Sequence, residues 1–170
     1  VDKNKIDEVK AQRGVDKIDL VAHSMGGLLV KKYLHDYGVD SVEKFIDIGT
    51  PHNGSPKSYK ILEYGDDLGF HPASISILNS GEIYKISQNM PSVYQLLPSR
   101  EYFDDYSYYV FDGANGNKRL TYDETKDYLK SDGRNASLVD RADAFHQEID
   151  NLNPADYGVE TYNIVGCGIP

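Results

Sequence analysis

The sequence predicts an α/β fold: a parallel sheet flanked by helices, with an inserted cap or lid. Three observations predict it. An apolar run at 17–22 leads through a sharp turn into an amphipathic stretch at 26–37, and a second apolar run, Val42 to Ile48, follows closely. Strand, helix and strand with short connections form a βαβ unit, whose strands lie parallel with helices on the sheet faces. Beyond residue 52 this alternation breaks for a long stretch, and a last strand, Tyr162 to Val165, resumes it.

Each element has a local reason. Residues 3–13 read as a helix closed by Gly14, which supplies a left-handed cap. In 26–37, Leu28, Leu29, Tyr33, Leu34 and Tyr37 recur at helical spacing until Gly38. Gly49-Thr50-Pro51 closes the second strand. The stretch 52–118 is rich in turn formers and in aromatics, from Tyr59, Tyr64 and Phe70 to Tyr109 and Phe111. These aromatics suit either the lining of an apolar channel or the small core of the insertion itself. Pro91, after Asn89-Met90, marks a helix start. Tyr106 to Phe111 and Lys118 to Tyr122 flank a Gly- and Asn-rich loop containing Asn115, which predicts a β-hairpin. Thr121 and Glu124 form a capping box for a helix to Lys130. Leu138, Ala142, Phe145 and Ile149 share one face of another helix. The expected organisation is therefore a core segment 1–51, a cap insertion 52–130, and a return helix and strand at 131–170.

Composition narrows the function classes. The chain has 170 residues, 39% of them hydrophobic, enough for one sizeable core. Its net charge is −9 and its pI about 4.9, without a basic patch, which argues against a nucleic-acid partner. A single cysteine, Cys167, excludes an internal disulfide framework, and a buried place at a strand end suits it best. No apolar run approaches the roughly 18 residues of a spanning helix. The chain starts at Val1 and ends at Pro170, just past a strand, so it is expected to be an internal fragment. Asn53-Gly54-Ser55 and Asn135-Ala136-Ser137 match glycosylation triplets, a pattern common by chance. Localisation is left open.

The chemistry-bearing block is Ala22-His23-Ser24-Met25-Gly26, extended by Gly27. A serine at the tip of a strand-to-helix turn is a candidate nucleophile elbow. Such a turn forces positive φ on the serine, and small residues two before and two after it let strand and helix approach. Ala22 and Gly26 fill those places, with alanine where glycine is usual. Ser24 needs a base, and the developing oxyanion needs two N–H donors. The Met25 N–H is the first donor. The second is expected from a loop upstream of Val1.

The serine, acid, histidine order of this kind of site tests each histidine. His23 adjoins the nucleophile and would point elsewhere. His35 lies in the following helix, and His71 in the insertion. His52 follows the second strand on the correct edge and suits a role orienting that loop. His146 comes late enough but sits mid-helix. Asp47 lies within the second strand and should point into a helix layer or to a neighbour rather than into the site, and Thr50 occupies the place after that strand where some such enzymes carry the acid. The base and acid are therefore expected beyond Pro170. No metal cluster or cofactor is expected.

Four blocks, at 21–34, 46–56, 91–99 and 162–170, carry a family resemblance in this order. The serine block with Gly49-Thr50-Pro51-His52-Asn53-Gly54-Ser55 resembles the lipase and acyltransferase branch of the α/β-hydrolase superfamily. Pro91-Ser92-Val93-Tyr94-Gln95-Leu96-Leu97-Pro98 points to relatives of lecithin:cholesterol acyltransferase. The resemblance implies an α/β-hydrolase fragment that hydrolyses or transfers fatty-acyl esters through an acyl-serine. Ser24 would be its nucleophile and Met25 its oxyanion donor, with a lipid substrate and transient contact with a lipid interface. A deacylase of GPI anchors or amides on the same fold, and a non-catalytic hydrolase-fold domain, are the alternatives.

Overall fold

The structure, a computed structural model, describes residues 2–65, 79–114 and 116–166. Phe70, His71, Asn115 and Cys167, with the expectations attached to them, lie outside the described residues. In chain order the elements are α1 (Lys3–Arg13), β1 (Ile18–His23), α2 (Met25–Tyr37), β2 (Val42–Ile48), α3 (Pro56–Tyr64), α4 (Ser80–Ser87) and α5 (Pro91–Gln95). There follow α6 (Arg100–Tyr106), β3 (Phe111–Asp112), β4 (Lys118–Arg119), α7 (Tyr122–Ser131), α8 (Ala136–Ile149), a 3-10 turn (Pro154–Tyr157) and β5 (Glu160–Ile164). They form two compact units, Val1–His52 with Gln147–Pro170, and Asn53–His146.

The first unit is the βαβ core. Its strands are all parallel in the order β1-β2-β5. Ala22 stands opposite Asp47, and His23 opposite Ile48, which in turn faces Ile164. Period-two alternation sends Phe45 and Asp47 of β2 to one buried face. Against the sheet packs a core of Ile6, Ala22, Val30, Tyr33, Leu34, Val42, Phe45 and Val159. Full burial of a side chain such as Phe45 contributes about 1.5–3 kcal/mol. Val21, Tyr162 and Ile164 are exposed.

Local signals set the ends of its helices. The Asp2 side chain accepts from the Asn4 N–H at the start of α1, and Gly14, at φ 65°, closes it. In α2 the buried stripe is Gly27, Leu28, Val30, Lys31, Tyr33 and Leu34, whereas Leu29 and Tyr37, expected on the apolar face, are exposed. Lys31 takes a core position because its stem packs while its Nζ donates to the Asp150 carbonyl at 3.2 Å. Burial lowers its pKa, against the opposing pull of Asp150 and Asp47.

The second unit is mostly helical. Its core joins Leu62, Val93, Tyr94, Leu97, Leu129, Leu138, Val139 and Ala142. The capping boxes at Asn79/Glu82 and Thr121/Glu124 start α4 and α7, and Pro91 opens α5. Arg134 gathers Glu63, Asp132, Tyr84 and Gln88 around one guanidinium. Many of the aromatics pack on one another: Tyr59, Tyr102, Phe103 and Tyr122 each contact Tyr109 or Phe103 at ring separations of 5.5–6.1 Å. Those rings therefore serve the unit's own packing.

The stretch 53–118 holds more helix than its composition suggests. Tyr106 ends α6 instead of starting a strand, and the hairpin shrinks to two residues on each side. The Tyr102 and Tyr106 rings stack 4.7 Å apart, a contact that i,i+4 spacing on a helix provides, and it overrides the strand propensity of the aromatics.

Candidate active site at the carboxyl edge of the sheet

Ser24 sits between the last residue of β1 and the first of α2 with φ 54° and ψ −131°. Only Ser24, Ser107 and Asn117 have positive φ among the described non-glycine residues. Such a conformation costs on the order of 1–3 kcal/mol and persists only where its surroundings enforce it. The Ser24 N–H donates to the Ile48 carbonyl at 2.9 Å, which continues the ladder from β1 to β2. Its hydroxyl makes no capping bond to α2, and the residue is half-exposed.

The neighbours explain how strand and helix come so close. A Cβ added to Gly26 would stand 3.4 Å from the Ala22 Cβ, in ordinary contact, which measures how closely strand and helix run at this pair. Met25 opens α2, where backbone N–H groups lack helical partners and the helix dipole is positive. An anion forming beside Ser24 would meet that end of the helix.

A second layer lies beneath the turn. The Asp47 carboxylate is 2% exposed. It accepts from the Thr50 hydroxyl and pairs with His52 Nε2 at 2.5 Å. Thr50 Oγ1 also lies 2.7 Å from the Ser24 carbonyl oxygen. Gly27 makes this possible: a Cβ there would collide with the Thr50 side chain and stand 2.6 Å from Asp47 Oδ1. Of the two expectations for Asp47, a helix layer or a neighbour, the neighbour is met, and Thr50 and His52 are the partners the sequence does not name. A carboxylate followed by threonine at +3 and histidine at +5, with a second glycine after Ser-x-Gly, is the signal that could have revealed them.

The histidines are engaged in different ways. His52 spends Nε2 on Asp47, and its Nδ1 is buried without a hydrogen-bond partner among the described residues. His35 bonds Asp36 at 2.9 Å on the surface, and His23 is exposed. In the second unit, His146 is 3% exposed and its Nε2 bonds the Gln95 carbonyl at 2.9 Å. It borders a cavity of about 20 Å³ shared with Tyr109, Tyr122, Lys126 and Asp143, room for about one water and none for an acyl chain. Burial, with the Asp143 hydrogen bond behind it, pushes the Tyr122 phenol far up. Among the described residues no group of three or more His, Cys, Asp or Glu could hold a metal, and no helix is long and apolar enough to cross a membrane.

Comparison with known proteins decides the family. The lecithin:cholesterol acyltransferase family model matches residues 2–157, most of the chain. The chain belongs to the lecithin:cholesterol acyltransferase family. No curated protein matches this family member. Among solved structures it is similar to a chain in the crystal structure of the Tle4–Tli4 complex, with a TM-score of 0.57 and 19% identity. The match covers 95% of this lecithin:cholesterol acyltransferase-family chain and 39% of that one. The shared architecture is the parallel sheet flanked by helices of an α/β-hydrolase.

Proposed function

We propose that this chain carries the nucleophile of a serine-dependent acyl-ester hydrolase or acyltransferase. Ser24 Oγ attacks the acyl carbonyl carbon, the alcohol leaves, and water or a second alcohol then releases the acyl group. The Met25 N–H holds the oxyanion as it forms. The observation that carries this reading is the Ser24 backbone, strained to positive φ where a parallel strand turns into a helix. Membership of a lipase and acyltransferase family supports a fatty-acyl ester of a lipid as substrate, met through transient contact with a lipid interface.

No histidine among the described residues is hydrogen-bonded to Ser24 Oγ: His35, His52 and His146 bond Asp36, Asp47 and the Gln95 carbonyl, so the base and its acid come, on this reading, from outside the described residues. We read 52–130 as the cap insertion: it stands in sequence between β2 and β5, and most of it belongs to a unit with its own core. The deciding experiment is Ser24→Ala in the natural chain, assayed on p-nitrophenyl acyl esters and by fluorophosphonate labelling. Turnover should fall about 10³-fold or more and labelling should vanish. Undiminished turnover would remove Ser24 from the mechanism.

A further inference from the structure

We propose that Thr50, backed by Asp47, is a positioning residue that aims the Met25 N–H by gripping the Ser24 carbonyl. Its catalytic consequence rests on Ser24 being the nucleophile; the grip itself does not. The peptide between Ser24 and Met25 is planar and trans, so the Ser24 C=O and the Met25 N–H point in opposite directions from one rigid plate. Whatever fixes the oxygen fixes the direction of the N–H. Two donors approach that oxygen: the Gly27 N–H at 3.1 Å and Thr50 Oγ1 at 2.7 Å. The first belongs to the opening turn of α2 and comes with any helix. The second is a side chain from the loop after β2, and nothing about a helix start requires it.

Thr50 is in turn held. Its one hydroxyl proton is shared between two acceptors, the Ser24 carbonyl and Asp47 Oδ1, as a three-centre bond. Asp47 is buried, and a buried carboxylate is costly unless donors surround it. His52 Nε2 takes its other oxygen. Gly27 leaves the space through which carboxylate and hydroxyl reach the turn. Two donors thus hold the peptide directly, and a chain from His52 through Asp47 stands behind one of them.

The test is Thr50→Val, with Thr50→Ser restoring the hydroxyl, in the natural chain. Hydrogen exchange at the Gly27 amide, whose acceptor is the gripped oxygen, reads the clamp without any chemistry. It should quicken about tenfold in Thr50→Val and return to the original rate in Thr50→Ser, while the Phe45 amide within the sheet stays unchanged. On an activated ester kcat should fall about 10–100-fold with KM within twofold, again restored by serine. Unchanged Gly27 exchange in Thr50→Val overturns the clamp. Faster exchange with unchanged kcat overturns its part in catalysis. If the unaltered protein shows no Ser24-dependent turnover, the nucleophile reading fails while the exchange data still decide the clamp. Should Thr50→Val not fold, Thr50→Ala removes the same hydroxyl and carries both readouts.

Discussion

The two units of this chain treat local rules differently. The helices of the unit Asn53–His146 follow them: α4 and α7 start on reciprocal capping boxes, α5 starts on proline, and Lys126 and Tyr122 both satisfy Asp143, while its exceptions (Ser107 and Asn117 at positive φ, Ser99 Oγ buried with no partner among the described residues) are scattered along the chain. The unit built on β1, β2 and β5 breaks them at one place. It holds a serine at positive φ, buries a carboxylate, and leaves His52 Nδ1 buried without a partner among the described residues, all within the turn after β1, the end of β2 and the loop after it. In this unit the departures gather around one turn, the pattern expected where something besides stability sets the geometry.

That contrast can be broken by measurement. The largest effect on stability belongs to the orderly unit. Leu129 is 1% exposed in its core, and Leu129→Ala should cost about 2–5 kcal/mol in chemical denaturation. A cost below about 1 kcal/mol would show that this core is loosely packed and the comparison mistaken. Ser24→Gly should move the other way. It relieves the strained backbone and should stabilise by about 1 kcal/mol, after the entropy cost of glycine, while abolishing turnover. Destabilisation would mean the serine side chain holds the turn together.

The smallest effect concerns acid. The Lys118 ammonium, and then the Thr121 N–H, hold the Glu124 carboxyl down at about 2 against an ordinary 4.5. Because its pKa is depressed in the fold, its contribution is complete above 4.5 and fades as pH falls through about 2. Glu124→Gln should therefore flatten the acid limb of a stability–pH curve in that window and leave neutral pH nearly unchanged. An identical acid limb in the variant would show that the capping box contributes nothing through charge.

The sequence carried the βαβ unit clearly, because the apolar runs at 17–22 and 42–48 and the glycines at 14 and 38 are punctuation that tertiary context did not override. Thr121/Glu124 and the face of Leu138, Ala142, Phe145 and Ile149 were legible for the same reason. The insertion was harder. Tyr106 looks like the start of a strand until its stacking on Tyr102 across one helical turn is seen, and the Asn79/Glu82 capping box passed unread. At the site, Ser24 and its small neighbours announce the turn. The bonds among Asp47, Thr50 and Ser24 do not, since they join residues up to 26 positions apart in the chain.

The missing side chain at position 27 has a practical side. A protein engineer who moved Ala22 to Gly26 alone into a new scaffold would carry over the bend but leave its brace behind. A working transplant needs the adjacent strand too, with its acid, its alcohol and the vacant spot that admits them.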